Sequence, residues 1–380
     1  MTDKALPAVP NRLLNLKTPP FPAAYPDCLV PNDKLQKALN KAIQMGPGPD
    51  WRVGLAIVSL EKPGAQPVGH FRGDREFFGA SMIKVAALYG LFELRNTLRD
   101  IAKELGSNTS ISELLADAAN YLNPKIMANL SHLPALKGIG KKVAVPQFAE
   151  AFKPVALSPN LGFTVEFASA FAPEIAGPTK EPVGHIEKMI VVSNNTSAAR
   201  CTHACGYGYL NGAIASAGFF EPGKGLGLWL AGDYLDTQEI AKYPYYRINS
   251  DNDGMVAQAS SPLHLARLLT LLHDGVLFGK NAGANAEMLK VLAKAAVYPE
   301  VYIDRGSGVD FTVTHNKLGV ADLKKENGGY DVESECSIVT HNASGRDFVV
   351  VWLNFIANDA EGFDPIAHVV RDTLNEYLKP

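Results

Sequence analysis

Cysteine is scarce in this chain. Cys28, Cys201, Cys205 and Cys336 are the only four in 380 residues, and they form neither a CxxC pair nor a disulfide framework. The run Cys201-Thr202-His203-Ala204-Cys205 holds three metal-ligating side chains. On a helix Cys201 and Cys205 share a face while His203 points elsewhere, so small buried side chains are expected there, with no metal and no cofactor. A dominant charge is also missing. The formal net charge is -3 and there is no basic block, which argues against nucleic acid or an anionic membrane as partner. No apolar run approaches the roughly 18 residues that a membrane span needs. The first residues lack the apolar core of a secretory signal: Asp3 and Lys4 are followed by Pro7, Pro10, Pro19, Pro20, Pro22 and Pro26. The expectation is a cytoplasmic protein, or a periplasmic or secreted one whose leader has been removed. What is present is ordinary globular material, 47% hydrophobic and 20% charged, enough for one large domain or two.

One stretch organises the rest, Phe77-Phe78-Gly79-Ala80-Ser81-Met82-Ile83-Lys84-Val85-Ala86-Ala87-Leu88-Tyr89. From Phe77 to Phe92 the sole formal charge is Lys84. The run after Met82 lacks proline and is rich in helix formers, which predicts a buried helix starting at or just before Ser81. Residues three apart on a helix have Cβ atoms about 5–6 Å apart. Ser81 would then sit at the helix N-terminus, where free N–H groups favour developing negative charge, with Lys84 beside it. Desolvation should lower the lysine pKa, and a neutral amine can take the serine proton. Ser59-Leu60-Glu61-Lys62 has the same spacing, but it ends a strand-like run and meets Pro63-Gly64, so no helix can follow it.

Along the chain, residues 1–31 read as an extended proline-rich arm. Asn32-Asp33 caps a helix carrying Leu35, Leu39 and Ile43 on one face. Trp51–Leu60 and Pro67–Phe71 read as strands. Residues 100–185 read as helical segments broken by prolines, with Ile111–Leu122 one helix and Gln147–Phe152 a weaker one. A helix over His185–Val192 stops at Ser193-Asn194-Asn195, and Thr196 opens the next. Ser261-Pro262 opens another. Val309–Thr314, Val332–Thr340 and Asp347–Phe355 read as strands, and Asp364–Leu378 as a closing helix. The pattern predicts an α/β fold of the α+β type: an antiparallel sheet built from both chain ends, flanked by terminal helices, with an inserted all-α subdomain. The sheet subdomain would comprise 32–76 and 305–380, and the helical one 77–304.

Ser81-Met82-Ile83-Lys84, Ser193-Asn194-Asn195 and Lys317-Leu318-Gly319 occur in the order and settings of three motifs. In these the chain resembles the serine β-lactamases and penicillin-binding proteins, most closely the class A β-lactamases. Thr196-Ser197-Ala198-Ala199 and the Ser260-Ser261-Pro262 helix strengthen the likeness, which covers roughly 33–378 apart from an insertion. The resemblance implies catalytic roles for Ser81 as nucleophile, Lys84 as base and Ser193 as proton carrier to the leaving nitrogen. It implies an oxyanion hole from the backbone N–H groups of Ser81 and Val320. Asn195, Lys317 and Gly319 would serve substrate binding. The partner implied is a small molecule or peptide carrying an amide, lactam or ester. A literal Ser250-Asp251-Asn252 also exists, but it precedes a turn and lies closer to Lys317 than the second motif should.

Three departures bear on function. Ser193 lies farther from Ser81 than the resemblance leads one to expect, with the surplus within 100–185, where added structure beside the cleft is anticipated. Leu318 stands where a hydroxyl residue is usual. The glutamate that activates the deacylating water, with asparagine four residues later, has no counterpart: Glu221, Asp233, Asp236, Glu239, Asp251 and Asp253 are followed at that distance by Gly225, Thr237, Ile240, Tyr243, Met255 and Ala257. The leading expectation is a serine hydrolase cleaving an amide or β-lactam. A DD-peptidase or carboxylesterase on the same scaffold, and a β-lactam-like ligand binder or sensor without turnover, remain alternatives.

Overall fold

A computed structural model describes residues 28–105, 109–157, 162–173, 182–234, 243–279, 281–296, 311–327, 329, 331–356 and 364–380. Most of the proline-rich arm, residues 1–27, lies outside them, as do 301–310, where the strand read from Val309 begins. In chain order the main elements are β1 (Leu29–Pro31), α1 (Asp33–Met45), β2 (Gly54–Ser59), β3 (Gln66–Phe71) and a 3-10 turn (Ala80–Ile83). Next come α2 (Lys84–Leu105), α3 (Leu114–Asn129), β4 (Phe152–Ala156), β5 (Phe163–Phe167), α4 (His185–Ile190), α5 (Asn195–Cys205) and α6 (Tyr207–Ser216). The chain closes with α7 (Pro262–His273), α8 (Ala282–Ala295), β6 (Phe311–Asp322), β7 (Asp331–His341), β8 (Arg346–Phe355) and α9 (Asp364–Leu378). Two compact units emerge. One holds 84–222 and 230–246; the other holds the described residues before 84, 223–229 and everything from 247 on.

The second unit is built on a six-stranded sheet in the order β1-β3-β2-β8-β7-β6. Only β1 and β3 run parallel. The N-terminal strands join the C-terminal ones through β2 and β8, in register from Phe348 opposite Ser59 to Leu353 opposite Gly54. The sheet is thus assembled from both chain ends, as the sequence predicts. Every residue of β2 is buried, which explains its uninterrupted apolar reading. Asn32 caps α1 by accepting from the Leu35 N–H at 2.9 Å. Leu35, Leu39 and Ile43 of α1 then join Leu55 and Ile57 of β2, Trp352 of β8 and Val370 and Leu374 of α9 in one buried cluster. Burial of a leucine or isoleucine of this kind is worth about 1.5–3 kcal/mol each. Helix α7, capped by Ser261 with Pro262 in its first turn, packs on β2 and β8.

The other unit centres on α2, which is buried for almost its whole length and is flanked by α5 and α6. Gly90 lets α6 approach closely, since a Cβ there would lie 2.3 Å from the Leu210 Cδ1. The insertion supplies α3, single helical turns at Lys141–Ala144 and Phe148–Ala151, and the antiparallel hairpin β4–β5. The hairpin adds strand to a block read from sequence as purely helical. Pro154 lies inside β4, opposite Val165. A two-stranded ribbon is all edge, where a proline lacking an N–H is tolerated. The ribbon docks on α2: Phe167 meets Phe92 edge-on at 5.2 Å, and Arg99 donates to the Val165 carbonyl and the Glu166 carboxylate.

Candidate active site

Ser81 lies in the 3-10 turn Ala80–Ile83, and α2 follows it without a break at Lys84. The sequence expectation of a helix beginning at Ser81 is met in tightened form, an i→i+3 first turn ahead of the α-helix. Ala80 adopts φ +50°, an uncommon left-handed setting for a residue with a Cβ. The segment leading in is held on both sides. Phe77 exchanges two backbone hydrogen bonds with Ser260, each 2.9 Å. The Asn252 side chain accepts from the Phe78 N–H at 2.8 Å and donates to its carbonyl at 3.3 Å.

Strand β6 presses against this turn through Gly319. A Cβ on that residue would stand 2.5 Å from both the Gly79 carbonyl oxygen and the Met82 nitrogen, and 3.0 Å from the Ser81 nitrogen. These are backbone atoms, so the glycine is required by close approach. Lys317, two residues earlier, is 2% exposed and donates to the Leu318 carbonyl at 2.6 Å. Leu318 packs on the cluster that contains Trp352. Val320 is 48% exposed and pairs in register with Glu333 on β7. Burial, reinforced by the Asp331 charge, pushes the Glu333 carboxyl up to about 7. Sequence reasoning passed over Glu333, whose only signal is its register opposite Val320.

Lys84, the first residue of α2, is completely buried. Its Nζ donates to the Ser193 carbonyl at 2.7 Å and to the Asn195 Oδ1 at 2.7 Å, and lies 3.2 Å from the Ser193 Oγ. The Ser193-Asn194-Asn195 segment links α4 to α5. Ser193 takes φ +53°, Asn194 caps α5 through the Ser197 N–H at 2.8 Å, and Asn195 begins the helix. The structure therefore brings Lys84, Ser193 and Asn195 together in one unit, and Ser81, Lys317, Gly319 and Val320 belong to the other. Tyr234 also reaches Lys84, its ring centroid 4.9 Å from Nζ, within range of a cation–π contact. The Tyr234 hydroxyl is buried without a hydrogen-bond partner among the described residues, and burial raises its pKa. An aromatic in an irregular segment leaves no periodic trace by which sequence reasoning could find it.

The rival motifs are engaged elsewhere. The Ser59 hydroxyl donates to the Glu61 Oε1 at 2.8 Å at the end of β2. Ser250 donates to the Gly254 carbonyl and accepts from the Asp253 N–H, closing a turn. Among the acids weighed for deacylation, Asp251 pairs with Arg75 at 3.6 Å and Asp253 with Lys324 at 3.5 Å. Asp233 is buried, 3.5 Å from the His203 Nε2. Asp236 and Glu239 lie outside the described residues. Cys201 and Cys205 are buried, and burial raises both thiol pKa values. His203 stacks on Tyr243 with centroids 3.6 Å apart. Among the described residues no group of three or more His, Cys, Asp or Glu side chains could hold a metal ion, and no helix is long and apolar enough to cross a membrane.

No family model matches the sequence, and no curated protein sequence matches it. Solved structures do match the fold. A β-lactamase from Chitinophaga pinensis aligns with a TM-score of 0.50 at 16% identity, covering 90% of this chain and 99% of that one. A representative class A β-lactamase from Bacteroides cellulosilyticus aligns with a TM-score of 0.50 at 13% identity, covering 91% and 99%. The TLA-1 extended-spectrum β-lactamase, in a variant form, aligns with a TM-score of 0.50 at 12% identity over the same shares. With a six-stranded sheet built from both chain ends, the chain has a fold similar to that of these β-lactamases.

Proposed function

We propose that this chain is a serine hydrolase that forms an acyl-enzyme on Ser81 and cleaves an amide or β-lactam bond. The observation that carries the reading is the setting of Lys84. It is wholly buried, starts the helix that continues the Ser81 turn, and is hydrogen-bonded to Ser193 and Asn195. A neutral Lys84 amine can donate its two protons to the Ser193 carbonyl and the Asn195 Oδ1, and its lone pair can then accept a proton.

In the proposed reaction the Ser81 Oγ attacks the substrate carbonyl carbon while its proton passes to the Lys84 Nζ. The carbonyl π electrons move to the oxygen, where the N–H groups of Ser81 and Val320 receive the negative charge. The placement of Gly319 against the Ser81 backbone supports this pairing of strand and turn. As the tetrahedral intermediate collapses, the C–N bond breaks and the leaving nitrogen takes a proton through the Ser193 hydroxyl. Water then hydrolyses the Ser81 ester. Lys317 adds positive charge for an acidic group on the substrate.

A second reading, a carboxylesterase on the same scaffold, is favoured by Leu318. Its side chain packs into the apolar cluster, and no hydroxyl is offered at that position to a substrate carboxylate. Intact-protein mass spectrometry after mixing with benzylpenicillin tests the main reading, beside turnover of a chromogenic β-lactam and a p-nitrophenyl ester. The expected result is slow gain of the full penicillin mass on Ser81, persistence of that adduct, and no adduct in Ser81→Ala. Hydrolysis of the ester without any β-lactam adduct would select the second reading. Absence of both reactions would overturn acyl-enzyme chemistry. Lys84→Met should slow acylation by about 10²–10⁴-fold, the usual effect of losing a general base.

A further inference from the structure

The sheet unit contains a cavity of about 400 Å³ whose walls include Arg52, Arg72 and Arg75. We propose that it binds a small organic anion, a carboxylate or phosphate group carried on a compact apolar body. This inference is independent of the Ser81 chemistry.

Three arginines line the cavity against one acid, Asp251, in a chain whose overall charge is -3. Arg75 is already 3.6 Å from the Asp251 carboxylate. Arg52 and Arg72 have no carboxylate partner among the described residues, and the Arg72 guanidinium lies 5.3 Å from the Phe71 ring centroid. Guanidinium groups offer planar forks that match the paired oxygens of carboxylate and phosphate. Beside Asn252 and Asn354, the side chains of Phe77, Leu323 and Ile356 give the wall an apolar part that can take the ligand's body. The volume falls in the range of small-molecule sites.

The frame of the cavity is held by side-chain amides. Asn354 donates to the Arg52 carbonyl at 3.0 Å and accepts from Asn252 at 3.0 Å. Asn252 in turn binds Phe78 through both its amide atoms. Two wall residues, Arg72 at φ +49° and Asn354 at φ +63°, hold left-handed backbone that structures usually retain for a reason. A preorganised frame of this kind presents charge without first having to order itself on binding.

Isothermal titration calorimetry at fixed ionic strength tests the proposal, with phenyl phosphate and benzoate as the two head-group probes. Inorganic phosphate and benzyl alcohol serve as half-probes. The expected result is saturable binding of at least one organic anion, tighter than either half-probe, and weakened about tenfold or more in R52Q/R72Q. That variant should keep the wild-type unfolding midpoint; if it does not fold, R52Q alone, at an exposed position, gives the same readout. No saturable heat with either organic anion would overturn the proposal. Affinity unchanged in the arginine variants would equally overturn it.

Discussion

Two residues show how single atoms decide this site. Gly319 is required because a Cβ would meet the backbone of Gly79 and Met82, neither of which can yield as a flexible side chain would. Gly319→Ala should therefore destabilise the protein by about 1–3 kcal/mol, the range for forced overpacking, and slow acylation of Ser81. A urea unfolding midpoint equal to wild type would refute the close approach. Tyr234 separates ring from hydroxyl. Its ring faces the Lys84 Nζ while its buried hydroxyl has no partner among the described residues. Tyr234→Phe should leave stability unchanged or raise it, because an unsatisfied hydroxyl is removed. Tyr234→Leu should lower stability, because the ring packed beside the Lys84 Nζ is lost. Equal unfolding midpoints for the two variants would contradict the ring's role. The local settings of Ser81, Lys84 and Ser193, a helix start and a link between two helices, were legible because the signals around them are local. Tyr234 and Glu333 were not, since one depends on where an irregular segment lands and the other on strand register.

At the scale of elements, boundary signals were the most legible. Asn32 and Ser261 each cap the helix that their residue type and position predict, and Asn194 caps α5, which starts at Asn195, one residue ahead of the predicted Thr196. The hairpin β4–β5 was hidden by Pro154, and the 3-10 turn at Ser81 by the continuity of helix formers across it. Elements are also joined by charges that no sequence pattern reveals. His273, at the end of α7, faces Asp274 at 3.4 Å and Asp347 of β8 at 3.6 Å. The Asp274 hydrogen bond, helped by the Asp347 charge, outweighs burial and raises the His273 pKa. Its contribution to stability is present below the unfolded value near 6.5 and is lost as pH rises through the higher folded value. His315, on β6, behaves oppositely. Burial, then the His273 charge, lowers it to about 4, so its contribution is present above about 6.5 and is lost as pH falls toward 4. Denaturant melts from pH 4.5 to 9 should show His273→Gln weaker than wild type in acid and level with it at high pH. His315→Gln should gain on wild type only below about pH 6.5. Parallel pH curves for wild type and both variants would exclude these assignments.

For the whole molecule, the two-ended sheet was legible because strand-like periodicity sits only near the chain ends. The division into units was less so. It cuts between Ile83 and Lys84, inside a continuous helical run that carries no break in composition. Chains ending before Arg346 lack β8 and should fail to form the sheet unit. A cooperative unfolding transition in such a truncated chain, with the wild-type sheet signature, would disprove the dependence. The pairing of β2 with β8 also sets a schedule for synthesis. The entirely buried strand Gly54–Ser59 emerges early, yet the neighbour that closes it, Arg346–Phe355, comes nearly at the end. At about 5–20 residues per second, a ribosome leaves that apolar strand without β8 for roughly 15–60 s. During that interval the nascent chain carries an open, sticky edge, so its yield in the cell should depend on holding chaperones more than its equilibrium stability would suggest.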